Sequence, residues 1–455
     1  MKKLLIGCGA LLVLAVVGVG AALAYLVSRL DPDELQRSLL EQAKATLGTD
    51  VRVADVEVSL LSGVRLEGIA IRNPAPFAGD IVTADALVLR YRLLPLVTGR
   101  FEVERLALEK PALALAMDAK GVFNYEKLGT GAAGKGQAAA PSAAGGSGAA
   151  AAVPLRIVMK SLAALNASVV MTDHTGARLL AVEDADFTSA FEVAGGLAEG
   201  KGEVRVATVN LGDVLFVRDV RAPLSLSKEK VTLAPIRGAV AGGTVTGDVR
   251  VDLKGGFRFT ADLALKDARV QTMLEEAKSI AAGSGTLSAK ARFEGRGGLP
   301  TRRGQGSADV SSCRAEGSRV LALLSSVLQV PELANPDFEA CHVEFTQTGS
   351  RFATPVVKLT GDALRLSGRG SLNLDTSALD YEMTLALSPK LFAKITRPEL
   401  RAGFETQADG FAAIPFRLYG TTLEPKTDLV SRLGKAAATG VAKDQVNKLL
   451  KKKLF

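Results

Sequence analysis

The chain has 455 residues, of which 47% are apolar and 23% charged, with 46 glycines, three cysteines, two histidines and no tryptophan. That apolar content excludes a disordered coil and a disulfide-stapled miniprotein, and the length allows roughly two to four domains. Net charge is +8, but residues 426–455 hold eight Lys or Arg against two Asp; the nearly neutral body lacks the basic face and stacking platforms of a nucleic-acid binder.

Leu4 to Val27 is a run of 24 uncharged residues, preceded by Lys2 and Lys3. It is long enough to cross a bilayer, and the leading lysines predict a cytoplasmic N-terminus with the body on the far side. A cleaved signal ending near Ala22-Leu23-Ala24 is the alternative, although the run exceeds the usual targeting core. A lipoprotein signal ending at Cys8 has too few residues after Lys3. We expect a retained anchor over residues 1–30.

Asp31-Pro32-Asp33-Glu34 reads as a capped helix start, with Leu35, Leu39, Ala43 and Leu47 spaced by four before Gly48. From Val51 the period changes to two, and strands are predicted through the rest of 31–128. Residues 129–152 are almost entirely Gly, Ala, Ser and Pro, a loop or linker with too little side chain to offset its ordering entropy. Strands resume over 153–300. Val245 to Lys254 and Phe257 to Lys266 each alternate one dry face with one wet face around Gly255-Gly256. Helical windows fall at about 270–282, 318–329 and 388–396, the last two within a β-rich 301–425 region. Most turns are short, so a mostly β, antiparallel body with a few helices is expected in place of a βαβ fold. Residues 426–455 form a basic amphipathic tail whose Lys448, Lys451, Lys452 and Lys453 suit an anionic membrane surface, or a partner.

Strands with one apolar face must cover it. Two sheets packed as a sandwich would do so. A single sheet rolled into a trough that holds acyl chains would also do so, and the scarcity of aromatic side chains leaves little filler for a thick interior. On the trough reading the lining comes from Phe257, Phe259, Leu263, Leu265, Met383, Leu385 and Leu387; on the sandwich reading the same residues are core.

Gly129-Thr130-Gly131-Ala132-Ala133-Gly134-Lys135-Gly136 satisfies G-x-G-x-x-G, but Gly136 stands where a magnesium-holding Ser or Thr belongs, and no strand leads in. His174 and His342 have no metal-ligand spacing; Cys341 beside His342 points to the opposite face of a strand. Cys313 and Cys341 could pair in an oxidising compartment or remain small buried residues. There is no nucleophile elbow and no paired catalytic carboxylate. No enzyme, cofactor or metal is expected.

The anchor and capped helix, Ser62-Gly63-Val64-Arg65-Leu66, Asn73-Pro74 with Phe77, Leu94 with Gly99, Pro111, and Gly121 with Asn124 together resemble the AsmA family of bacterial envelope proteins over residues 1–128. A second likeness covers 300–425 through Gly368-Arg369-Gly370-Ser371-Leu372-Asn373-Leu374, Tyr381, and Phe416-Arg417-Leu418-Tyr419-Gly420 with Leu423 and Pro425. The middle is similar in strand pattern alone. The resemblance implies an inner-membrane anchor and a periplasmic, elongated antiparallel sheet curled into a groove. Phospholipid would move along that groove between envelope membranes or in support of outer-membrane biogenesis, with other envelope proteins as partners. It carries no catalytic motif. Allowing roughly 25 to 30 strands, such a groove would run on the order of 120 to 145 Å. The alternative of another class is a non-catalytic β-sandwich assembly factor that contacts envelope proteins.

Overall fold

The computed structural model describes residues 40–435, apart from short internal stretches at 42, 46, 60–62, 93–99, 129–155, 195–196, 228, 254–257, 280–281 and 297–300. The expected anchor, the Gly/Ala-rich segment and the tail lysines lie outside the described residues. No helix among the described residues is long and apolar enough to cross a membrane. Two compact units are present, one of residues 1–239 and 246–259, the other of residues 240–245 and 260–455.

The first unit opens with helix α1, at 40–47, followed by β1 (Val51–Arg52), β2 (Asp55–Ser59), β3 (Gly63–Arg72), β4 (Asp80–Arg92), β5 (Arg100–Glu109) and β6 (Ala112–Ala116). Next come β7 (Arg156–Thr172), β8 (Arg178–Ala194), β9 (Leu197–Leu211), β10 (Leu215–Ser227) and β11 (Lys230–Val240). Ala43 and Leu47, one helical turn apart, pack onto Leu66, Ile69, Leu87 and Leu89 of β3 and β4 in a solid cluster. Each large side chain fully buried there is worth about 1.5–3 kcal/mol. Asn124 is fully buried and satisfied. Its Nδ2 donates to Asn73 Oδ1 and to the Ala114 carbonyl, both at 2.8 Å, while its Oδ1 accepts from the Tyr125 amide. Two residues that carry the family likeness are thus a structural clasp.

Neighbouring strands run antiparallel except at β7, which lies parallel to both β5 and β6. This departs from the wholly antiparallel expectation. A parallel pair needs a long crossover, and the stretch between β6 and β7 that contains the Gly/Ala-rich segment supplies it. β5 and β6 form one interrupted strand between β4 and β7: Lys110, at φ 45°, breaks it, and the Lys110 amide still donates to the Leu165 carbonyl. The same irregularity continues across the unit. Asn166, Asp184 and Asp219 take left-handed conformations where the pairing of β7, β8 and β10 is interrupted. Asp184 and Asp219 both stand at the level of Ala207 of β9, and Asn166 precedes Ala167, the partner of Ala185. Such an aligned row of irregularities bends successive strands together and raises their twist.

β12 (Gly243–Asp252) and β13 (Arg258–Arg269) straddle the division between the units. The second unit continues with helix α2 (Val270–Glu276), β14 (Ala282–Arg296), β15 (Arg303–Glu316) and α3 (Arg319–Leu328). It is completed by β16 (Asp337–Thr348), β17 (Arg351–Thr360), β18 (Leu364–Asn373), β19 (Ala378–Leu387), α4 (Pro389–Phe392), α5 (Pro398–Arg401), β20 (Glu405–Thr406), β21 (Ala412–Thr421), β22 (Pro425–Thr427) and α6, at 429–435. The described residues hold 22 strands, fewer than the expected 25 to 30. Ser318 and Ser388 cap α3 and α4 by accepting from the Leu321 and Leu391 amides, where the sequence placed those helix starts. α2 is shorter than its window, because the chain has entered β14 by Ala282.

The helices of this unit plug one end of its sheet. Leu321, Leu324 and Leu328 of α3, Leu391 of α4, and Leu429 and Leu433 of α6 close over Leu364, Leu366, Leu385, Leu387, Ile414 and Phe416. Leu429 and Leu433, grouped by sequence with the basic tail, therefore belong to this core.

Candidate functional site

Directly opposed residues on neighbouring strands share a face, so the strand registers define continuous rows. In the first unit one row runs Val103, Met159, Phe191, Gly200, Leu226, Val231 across β5, β7, β8, β9, β10 and β11. The next runs Leu106, Leu162, Ser189, Gly202, Leu224, Leu233. At about 4.8 Å per strand each row covers roughly 24 Å. Val103 and Leu106 are buried in the cluster beside α1, whereas Met159, Leu162, Phe191, Leu224, Leu226, Val231 and Leu233 are only half-buried.

In the second unit one face carries Phe293, Gly304, Gln347, Phe352, Leu372 and Leu379 in one row from β14 to β19. Beside it lie Ala291, Gly306 and Phe345. Phe293, Phe345 and Phe352 stack in series, with ring centroids 6.2 and 4.9 Å apart, and all three are half-buried. Glycines make room for large neighbours. A Cβ on Gly306 would meet the Phe345 ring at 2.6 Å, and one on Gly370 would meet the Tyr381 ring at 2.4 Å. The rings thus lie flat across bare backbone of the adjoining strand.

The opposite face is wet. Arg292 pairs with Asp262 at 3.3 Å, Arg314 with Asp337 at 2.7 Å, Arg369 with Glu382 at 3.2 Å and Arg417 with Asp380 at 2.8 Å. His342 joins them, its Nδ1 2.7 Å from Asp309 and its Nε2 3.5 Å from Glu344. Both carboxylates, with the Asp309 contact leading, raise the imidazole pKa above its ordinary value.

Among the residues expected to line a trough, Phe257 lies outside the described residues and Phe259 is half-buried in the first unit. Leu263 and Leu265 are half-buried in the second; the Asp262 to Arg292 pair on the wet face places them, by alternation, on the side of Phe293. Met383 is half-buried against the helical plug, whereas Leu385 and Leu387 are fully buried within it, at 0% exposure. Lys448, Lys451, Lys452 and Lys453 lie outside the described residues. Sequence reasoning does not single out Phe345 and Phe352. The signal that could have found them is the alternation of Gly304 and Gly306 on the strand beside them.

Cys313 and Cys341 are free thiols, half-buried on adjacent strands at the edge of the plug. Burial first, and then the hydrogen bond with Cys313, push the Cys341 thiol up. Among the described residues no group of three or more His, Cys, Asp or Glu side chains could hold a metal ion.

A mostly β protein whose strands carry one apolar and one ion-paired face is the class these observations define. The AsmA family model matches residues 1–206, and over that span the chain is similar to the AsmA family. The match passes the 128 boundary of the expected N-terminal likeness and reaches β9; the 300–425 likeness lies outside it. No curated protein and no solved structure matches the chain.

Proposed function

We propose that this protein shields the acyl chains of phospholipids on its apolar sheet faces, and so moves lipid between envelope membranes or supports outer-membrane biogenesis. The AsmA family match over residues 1–206 and the extensive β structure are compatible with a lipid-transport or envelope role. The observation that carries the reading is the half-burial of large apolar side chains along cross-strand rows, Phe191, Leu226 and Val231 in one unit and Phe293, Phe352, Leu372 and Leu379 in the other, interrupted only by Gly200, Gly304 and Gln347. A folded protein ordinarily buries such side chains; leaving several of them incompletely covered on one face suits an apolar occupant. The physical effect is solvent substitution, about 0.8 kcal/mol for each CH₂ kept from water.

On this reading residues 1–30 anchor the chain in the inner membrane, the body is periplasmic, and the tail lysines meet an anionic membrane surface. The chemistry is transfer, not catalysis. The solid plug around Leu385 favours the assembly-factor reading for that end of the second unit, because a packed core admits no lipid. Native mass spectrometry of the full chain after exposure to phospholipid vesicles separates the two. Retained phospholipid supports the lipid reading, and its absence supports the assembly factor.

A further inference from the structure

We propose that Arg302 recognises the phosphodiester of a phospholipid whose acyl chain lies along Phe293, Phe345 and Phe352; this rests on the lipid reading above. Arg302 precedes Gly304 by two residues, so alternation directs it to the face that carries the phenylalanines. Its carbonyl accepts from the Gly349 amide at 2.9 Å, and the β14 to β15 register, carried one residue on, sets Gly295 opposite it. Glycine stands on both flanks, so neither neighbouring strand sets a side chain against Arg302 at this level.

The guanidinium Nε is buried and has no hydrogen-bond partner. No carboxylate pairs with Arg302 among the described residues, and desolvation lowers its pKa from the ordinary arginine value. Arg365 also has an unpartnered Nε, but its Nη1 meets Asp409 at 2.5 Å and its guanidinium lies 3.7 Å from the Phe411 ring centroid. Arg302 has no such compensation. A half-buried guanidinium whose Nε lacks a partner has lost part of its hydration, and an anion that supplies two acceptor oxygens fits its planar fork. A cation at the strand end and stacked rings along the strands match the two halves of an amphiphile.

The test uses the full chain in detergent micelles. It is incubated with mixed micelles that carry phosphatidylglycerol, or diacylglycerol of the same acyl chains, and bound lipid is counted by native mass spectrometry. Arg302→Gln should lower phosphatidylglycerol occupancy about tenfold, the scale of one charge-assisted hydrogen bond, while diacylglycerol occupancy stays at the wild-type value. Arg302→Lys should retain part of the phosphatidylglycerol. An unchanged thermal melt of Arg302→Gln shows that the fold is kept. Wild-type phosphatidylglycerol occupancy in Arg302→Gln would overturn the proposal. A rise in melting temperature with inorganic phosphate alone, lost in Arg302→Gln while lipid occupancy is not, would make free phosphate the ligand and also overturn it. Absence of both lipids from the wild type would instead overturn the lipid reading beneath it.

Discussion

Phe345 and Phe352 stack across β16 and β17 with ring centroids 4.9 Å apart and planes 20° apart, yet both remain half-buried. Offset stacking adds about 0.5–1.5 kcal/mol beyond area burial, so the pair holds its shape without a covering layer. Phe345→Glu is expected to leave the circular-dichroism spectrum intact and to abolish lipid retention. Loss of the folded spectrum would identify the pair as core.

Leu385 should behave in the opposite way. It is fully buried between β18, β21 and the helical plug, so Leu385→Ala is expected to cost about 2–5 kcal/mol in denaturant unfolding of the second unit. A loss below about 1 kcal/mol would show that the plug is loosely packed.

Gly306 lies under the Phe345 ring, where a Cβ would stand 2.6 Å from Cζ, and 2.3 Å from the Lys290 carbonyl oxygen. Gly306→Val is expected to cost about 1–3 kcal/mol, because the contact includes backbone that cannot swing away. Equal thermal stability of variant and wild type would contradict the close approach.

Local spacing made the alternating strands and the capped helices visible, and the family resemblance drew attention to Asn73 and Asn124, whose contact across 51 residues no spacing reveals. It did not reveal which apolar face is plugged. Leu385 and Phe345 both sit on regular β alternation, and only the return of α3, α4 and α6 over one end of the sheet separates core from half-exposed row. The bulges left a trace: the apolar phase in β7 changes from Leu162 and Ala164 to Ala167 and Val169 across Asn166. Arg302 had no sequence signal, since its lack of an acidic partner depends on what lies across β14 and β16.

His342 is about one-third exposed, lies between Asp309 and Glu344, and faces Lys358 of β17. Its folded pKa is raised, so its stabilising contribution is complete below the ordinary histidine value of about 6.5 and is lost as pH rises through the folded value. Solvent screening keeps the effect small. The melting temperature of wild type relative to His342→Gln is expected to fall across that window; a pH-independent difference would contradict the ion pairing.

Leu429 and Leu433 are core residues, so a test of the basic tail should cut after 435 and leave α6 in place. Chain truncated there is expected to melt as wild type and to lose its preference for anionic over neutral vesicles, read by flotation, while residues 1–30 still support binding to both. An unchanged preference for anionic vesicles would remove the tail from membrane contact.

Native mass spectrometry of the full chain, after exposure to phospholipid vesicles and removal of excess lipid, tests the lipid-shielding function most directly. Phospholipid retained by wild type and absent from Phe345→Glu is the expected result; a wild-type protein that retains none, under conditions where it remains folded, would contradict it.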